Sequence, residues 1–153
     1  MKQIKTLLLL LFSFSAFSQE LKGKVISVKD GDTIELLVDG KSIRIRLAAI
    51  DCPEKSQAFG MDAKKYTSDF CFGKEAIAKQ KDIDKYGRIV AFVFVNGAEL
   101  NKNLVINGFA WHYKKYSNDA NLDEFEKKAR INKLGLWAGE NPLEPWEFRK
   151  LSK

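Results

Sequence analysis

The sequence predicts an α+β protein in which strands dominate: a small five-stranded barrel accompanied by three helices. Three observations carry this expectation. Runs rich in β-branched residues are separated by Asp-Gly and Asn-Gly pairs, which favour tight hairpins. Apolar residues at three- and four-residue spacing are confined to a few segments. A chain of 153 residues with 45% hydrophobic content suits one domain around one core.

The first 18 residues stand apart from that domain. Lys2 and Lys5 form a basic start, Leu7 to Phe17 is an almost unbroken apolar run, and Ala16-Phe17-Ser18 places small residues at a cleavage point. This is the pattern of an export leader cut near Ser18. The apolar run is shorter than the ~20 residues a spanning helix needs, and no cysteine follows it for lipid attachment. A signal peptide over 1–18 is therefore expected, with the mature chain secreted or periplasmic and without stable membrane association.

The mature chain begins with three strand-like runs, Val25 to Val28, Thr33 to Val38 and Ser42 to Ile50. Asp30-Gly31 and Asp39-Gly40 separate them; such pairs make hairpins because the turn requires positive φ, so the three runs read as a meander. A helix is predicted from about Gln57 to Phe72, with Phe59, Ala63, Tyr66 and Phe70 on one face and Gly73 as its stop. Two further strands, Ala76 to Lys81 and Arg88 to Val95, are joined through Tyr86-Gly87, and Asn96-Gly97 closes the second. Leu100 to Asn107 reads as a short helix, and Leu122 to Lys133 as the third, with Asn121 and Glu124 as a capping box. The tail, with Pro142, Pro145 and Trp146, reads as an irregular segment packed back on the body. This order fits a barrel of the OB type.

Charge and residue types narrow the chemistry. Two of the 26 basic residues lie in the leader, leaving 24 against 20 acidic ones, a mild positive excess compatible with a polyanionic partner. Cys52 and Cys71 permit a disulfide in an exported chain without requiring one. Two thiols and one histidine fall short of a zinc site. His112 is the only histidine; no Gly-x-Ser-x-Gly elbow or phosphate-binding glycine loop accompanies it, and it reads as structural. Catalysis would fall to carboxylates, arginines, lysines and tyrosines.

The carboxylates cluster. Asp30 and Asp32 flank the first hairpin turn, and Asp51 and Glu54 follow the third strand. In a meander, that turn and that strand end share one end of the barrel. Like charges so gathered repel unless a cation joins them, and an all-oxygen ligand set selects calcium or magnesium. Arg46 lies within the same apolar strand and Arg88 directly after a turn. Guanidinium forks, a cation and a carboxylate acting on water are what phosphodiester hydrolysis needs, because extra negative charge develops on the phosphate oxygens.

Three segments carry a resemblance: Asp30-Gly31-Asp32-Thr33-Ile34, Arg46 to Glu54, and Asp84-Lys85-Tyr86-Gly87-Arg88. In order and spacing they resemble the motifs of staphylococcal-type nucleases, the thermonucleases. The likeness runs from about Gly23 to Trp137, leaving 138–153 as an extension. It implies an OB-fold barrel and a monomeric, secreted, calcium-dependent endonuclease. Such an enzyme hydrolyses DNA and RNA, preferably single-stranded or locally open, and leaves 3′-phosphate ends. By the same resemblance Asp32, Asp51 and the backbone carbonyl of Cys52 would bind calcium, with Asp30 one layer behind them. Glu54 would act on the attacking water as its general base or as its positioner. Arg46 and Arg88 would clamp the phosphate, Lys85 and Tyr86 would sit beside a neighbouring phosphate, and Tyr113 would stack on the nucleotide, with Tyr116 as the alternative. The chain departs from the family in a shorter stretch between Glu54 and Gly60, and the tail from Asn141 receives no role. A non-catalytic binding module of the same fold would need neither the carboxylates nor the arginines.

Overall fold

The computed structural model describes residues 19–152; the expected leader lies outside the described residues. Along the chain come β1 (Glu20–Asp30), β2 (Thr33–Val38), β3 (Lys41–Leu47), β4 (Ile50–Asp51), α1 (Gly60–Cys71), β5 (Glu75–Ile83) and β6 (Ile89–Val95). They are followed by β7 (Ala98–Glu99), α2 (Leu100–Ile106), β8 (Trp111–His112), α3 (Ala120–Ile131), a 3₁₀ turn at Gly135–Ala138, and α4 (Pro145–Leu151). β1, β2 and β3 form the expected antiparallel meander, and β5 returns to the free edge of β1. β6 pairs antiparallel with β5 and parallel with β3, closing a five-stranded barrel. Closure satisfies both sheet edges, so the barrel needs no outside strand.

Alternation explains what fills it. Ile34 and Leu36 of β2, Ile45 and Leu47 of β3, and Ala91, Val93 and Val95 of β6 all point inward and are buried. Each large aliphatic side chain so buried contributes roughly 1.5–3 kcal/mol. α1 seals the barrel beside the first hairpin through Ala63 and Cys71, and α2 caps it with Leu100, Leu104 and Val105.

The hairpins differ in how they turn. Asp39 and Gly40 have φ of 48° and 74°, and Asn96 and Gly97 have 50° and 80°, the positive values those pairs predict. The first hairpin instead turns on Gly31-Asp32, with Asp30 still paired to Thr33 and with neither turn residue at positive φ. Gly31 is required there by space. A Cβ would lie 2.8 Å from the Cys52 Cβ and 2.9 Å from the Ala63 Cβ. The turn is therefore pressed against α1, and Thr67 donates to the Gly31 carbonyl at 2.6 Å.

Other expectations needed correction. The third strand does not run straight to Ile50: Ala49 adopts φ of 65° and redirects the chain, so that β4 pairs with β8. Buried Asn101 holds this bend. Its amide donates to the Ala48 and Ala91 carbonyls, and its oxygen accepts from Val93 N–H. α3 is capped by Asp119, whose carboxylate accepts from Asn121 N–H at 2.8 Å; Asn121 lies inside the helix, so the Asn121–Glu124 box does not form. The tail does pack back on the body, but as a fourth helix, with Pro145 at its first turn where a missing N–H costs nothing. Cys52 and Cys71 are both buried free thiols, and the Cys71 thiol donates to the Thr67 carbonyl.

Candidate active site

One end of the barrel opens into a cleft of about 740 Å³, and every candidate site residue that the resemblance implied lines it. The first hairpin turn supplies Asp30 and Asp32, β3 supplies Arg46, and the redirected chain supplies Asp51, Cys52 and Glu54. The tip between β5 and β6 supplies Lys85, Tyr86 and Arg88, and the segment after β8 supplies Tyr113 and Tyr116.

Register accounts for the meeting. Thr33 faces Arg46 across the β2–β3 ladder, and Leu47 N–H donates to the Asp32 carbonyl, which puts the turn beside the end of β3. Asp32 is then fixed from two sides: Cys52 N–H donates to its Oδ2 at 2.8 Å, and the Thr33 hydroxyl to its Oδ1 at 3.3 Å. Asp51 is almost fully buried, at 1% exposure. Burial pushes its carboxyl up to about 6, with Arg149 pulling it back and Asp32 adding to the rise. Asp30 is likewise pushed up to about 6, by burial and then by the negative charge of Asp32. Burial raises the Cys52 thiol well above its ordinary range, so it is a neutral thiol.

Arg46 points into the cleft and is embedded in this acidic wall. Its Nη1 donates to the Leu47 and Ile50 carbonyls at 2.7 and 3.0 Å, and its Nη2 reaches Asp51 at 2.7 Å and Asp32 at 3.1 Å. Burial works against the guanidinium, yet Asp32 and Asp51 more than offset it and hold the charge in place. Arg88 is more open. Its Nε donates to Asp84 at 2.7 Å, while the other Asp84 oxygen accepts the Tyr86 and Arg88 backbone N–H groups. Asp84 thus shapes the hairpin tip and aims Arg88, and these bonds carry its pKa below the usual range against its partial burial. The Tyr86 ring, largely exposed, lies 5.0 Å from the Lys85 ammonium and 5.5 Å from the Arg88 guanidinium.

Two residues at the site, both in the tail, had no role in the sequence reading. Arg149, on α4, bonds Asp51 Oδ2 through Nη2 at 2.8 Å and Glu54 Oε1 through Nη1 at 2.7 Å. Those carboxylates raise its pKa despite the opposing effect of burial. Trp146, one turn earlier, stacks on Tyr113 with centroids 4.9 Å apart and planes 2° from parallel. Tyr116 meets Tyr113 edge-on at 4.9 Å, so both candidate tyrosines share one aromatic group. Glu54 is placed by its backbone: its N–H donates to the Gln57 side chain, whose amide donates in turn to the Leu143 carbonyl.

His112 lies apart from these groups. It is buried in β8, with Nδ1 3.3 Å from Asp123, Nε2 3.1 Å from the Ser117 hydroxyl, and its N–H on Glu126. Ser117 does not line the cleft, and its oxygen also accepts Asp119 N–H. The contacts tie β8 to α3, a structural task.

The donors suited to a cation are all oxygens: the Asp32 and Asp51 carboxylates, the Cys52 carbonyl and Glu54. Among the described residues no three acidic, histidine or cysteine side chains are gathered as a ready-made cage. Guanidinium groups already hold the Asp51 and Glu54 oxygens. The donor chemistry suits a hard divalent ion, and the positive charge now lying on those oxygens marks where one would compensate them.

A cleft at the end of a small barrel, walled by carboxylates and crossed by arginines, defines a protein built to handle phosphodiesters. Comparison agrees. Residues 44–139 match the family described as staphylococcal nuclease homologue. Over its full length the chain is 37% identical to a protein of Shigella flexneri named micrococcal nuclease, covering 94% of it. It is 42% identical over 99% of its length to an uncharacterized endonuclease of Haemophilus influenzae, covering 87% of that protein. A staphylococcal-like nuclease of Arabidopsis thaliana is 38% identical over 72% of this chain, which spans 34% of the plant protein. The chain belongs to the staphylococcal nuclease homologue family, and its enzymatic class is nuclease.

Proposed function

We propose that the mature protein is an exported, calcium-dependent endonuclease that hydrolyses DNA and RNA and leaves 3′-phosphate ends. The observation that carries the reading is the meeting of Asp32, Asp51 and Glu54 with Arg46 and Arg88 on one cleft. Asp32, Asp51 and the Cys52 carbonyl would hold the ion, with Asp30 behind Asp32. Calcium, when bound, supplies positive charge to a phosphate oxygen and to water.

The protein's own groups do the rest. Arg46 brings a charge already anchored by four acceptors, so little reorganisation accompanies the growth of charge on phosphorus oxygens. Arg88 lines the cleft from the end of the hairpin tip, just before β6, the strand paired with β3, and can turn its Nη nitrogens to a phosphate while Asp84 holds Nε. Glu54 orients the attacking water or takes its proton. Lys85 and Tyr86 meet a neighbouring phosphate, and Tyr113 offers its ring to a base, a contact worth about 1–3 kcal/mol. A base held flat on a ring must be unstacked from its neighbours, which favours single-stranded or locally open substrates.

The test is cleavage of single-stranded DNA and RNA at millimolar calcium, with and without chelator, and end-group analysis of the products. Calcium-dependent hydrolysis with 3′-phosphate ends is expected. Absence of cleavage under those conditions would refute the proposal, and products bearing 5′-phosphate ends would refute the assigned polarity. Export is tested separately, by sequencing the amino terminus of the protein recovered outside the cytoplasm; cleavage near Ser18 is expected.

A further inference from the structure

α4 is held to the body in an unusual way. Of its seven residues only Pro145 is fully buried and Leu151 is 78% exposed; the half-buried Trp146 is the one α4 side chain packed against the core cluster of Trp111, Ala129, Leu136 and Trp137. Its grip comes from Trp146 and Arg149. Trp146 lies flat on Tyr113 and edge-on to Trp111, whose ring centroid is 5.8 Å away. Arg149 bridges Asp51 and Glu54.

Both anchors stand on groups that the proposed function assigns to ligands. A guanidinium on Asp51 and Glu54 places a cation where a calcium ligand and the residue acting on water need their oxygens free. An indole parallel to Tyr113 covers the face a nucleotide base would take. The family match ends at residue 139, six residues before α4 begins. The Shigella and Haemophilus relatives align with the chain through this stretch as well, yet α4 pairs with no strand and can leave without unpairing one.

We propose that α4 is a displaceable internal lid: Arg149 competes with calcium for Asp51 and ties up Glu54, while Trp146 competes with a nucleotide base for Tyr113. The lid keeps the acidic wall compensated when calcium is scarce, and calcium and substrate release it together. This rests on the calcium-dependent nuclease reading. A helix that must undock before the ion binds lowers the apparent affinity by the undocked fraction. If α4 is docked about nine-tenths of the time, removing Arg149 should tighten calcium binding about tenfold.

Two measurements on the full mature chain test the idea. Calcium is titrated calorimetrically, without nucleic acid, into the wild type, Arg149→Ala, and Lys150→Ala as a control on the same helix. Arg149→Ala is expected to bind about tenfold more tightly, and Lys150→Ala to match the wild type. Amide hydrogen exchange over 145–151 in the wild type should accelerate when calcium is added, a result that needs no variant. Calcium binding that Arg149→Ala leaves unchanged or weakens, or exchange in α4 indifferent to calcium, would overturn the lid while leaving the nuclease reading intact. No binding heat from any of the proteins would refute the calcium reading and the lid with it.

Discussion

Arg46 and Arg88 are assigned the same service to the phosphate, but they should behave differently when removed. Arg46 is only 14% exposed and links two carbonyls and two carboxylates that are themselves 9% and 2% exposed. Deleting one partner of a buried ion pair costs about 3–5 kcal/mol, because the charges left behind find no solvent. Against a domain stability of about 5–15 kcal/mol this is a large fraction. At ~2–4 °C per kcal/mol for a chain of this size, Arg46→Ala should lower Tm by roughly 10 °C. Arg88 makes one ion pair at the rim of the cleft, with 28% of its side chain exposed. Losing such a pair costs no more than about 1 kcal/mol, so Arg88→Ala should shift Tm by only a few degrees. Cleavage rates measured where both variants are folded should fall by a factor of about 10²–10³ in each. Equal Tm shifts, or a nearly full rate in folded Arg88→Ala, would refute this division of labour.

Three further outcomes follow from the geometry. Glu54→Gln should slow turnover by roughly 10²–10⁴ while calcium titration finds binding largely intact; a matching loss of calcium would make Glu54 chiefly a ligand. Because Asp30 and Asp51 are held up to about 6, both take protons as pH falls through that value, well above the ordinary carboxylate range. Calcium affinity and cleavage should therefore decline together below pH 6, and a flat profile down to pH 5 would contradict it. Asn101→Ala strips partners from the buried Val93 N–H and Ala48 carbonyl, at about 1–3 kcal/mol each. Urea unfolding should show a loss of several kcal/mol, and a loss under about 1 kcal/mol would mean the Ala48–Ala49 bend holds itself.

The barrel and most of the site could be read from the sequence because their causes are local. Asp39-Gly40 and Asn96-Gly97 dictate turns through φ, and alternating Ile34, Leu36, Ile45 and Leu47 dictate an inner face. The Asp30–Asp32 turn meets the end of β3 because register follows from the hairpin. What escaped the reading is fixed by distant partners. The bend at Ala49 puts a non-glycine residue at positive φ, a conformation no local signal requests, and Asn101 holds it from α2. Gly31 looked like a turn residue, but its lack of a side chain is demanded by Cys52 and Ala63. Arg149 lies 95 residues beyond Glu54, on a helix too short to show periodicity and opening on Pro145, which together with Pro142 suggested irregular chain. Only the folded arrangement brings its charge to the cleft.

The placement of the three tryptophans has an optical consequence. Trp111, Trp137 and Trp146 share one cluster, with the Trp111 centroid 4.4 Å from that of Trp137 and 5.8 Å from that of Trp146, and none lies in the five barrel strands. Excitation will pass among them, so intrinsic emission is a single composite signal from the end of the molecule that carries the aromatic wall. The barrel is spectroscopically silent in that channel. Denaturation followed by emission therefore reports the loosening of this cluster, and only its coincidence with far-ultraviolet dichroism would show that the strands melt in the same step.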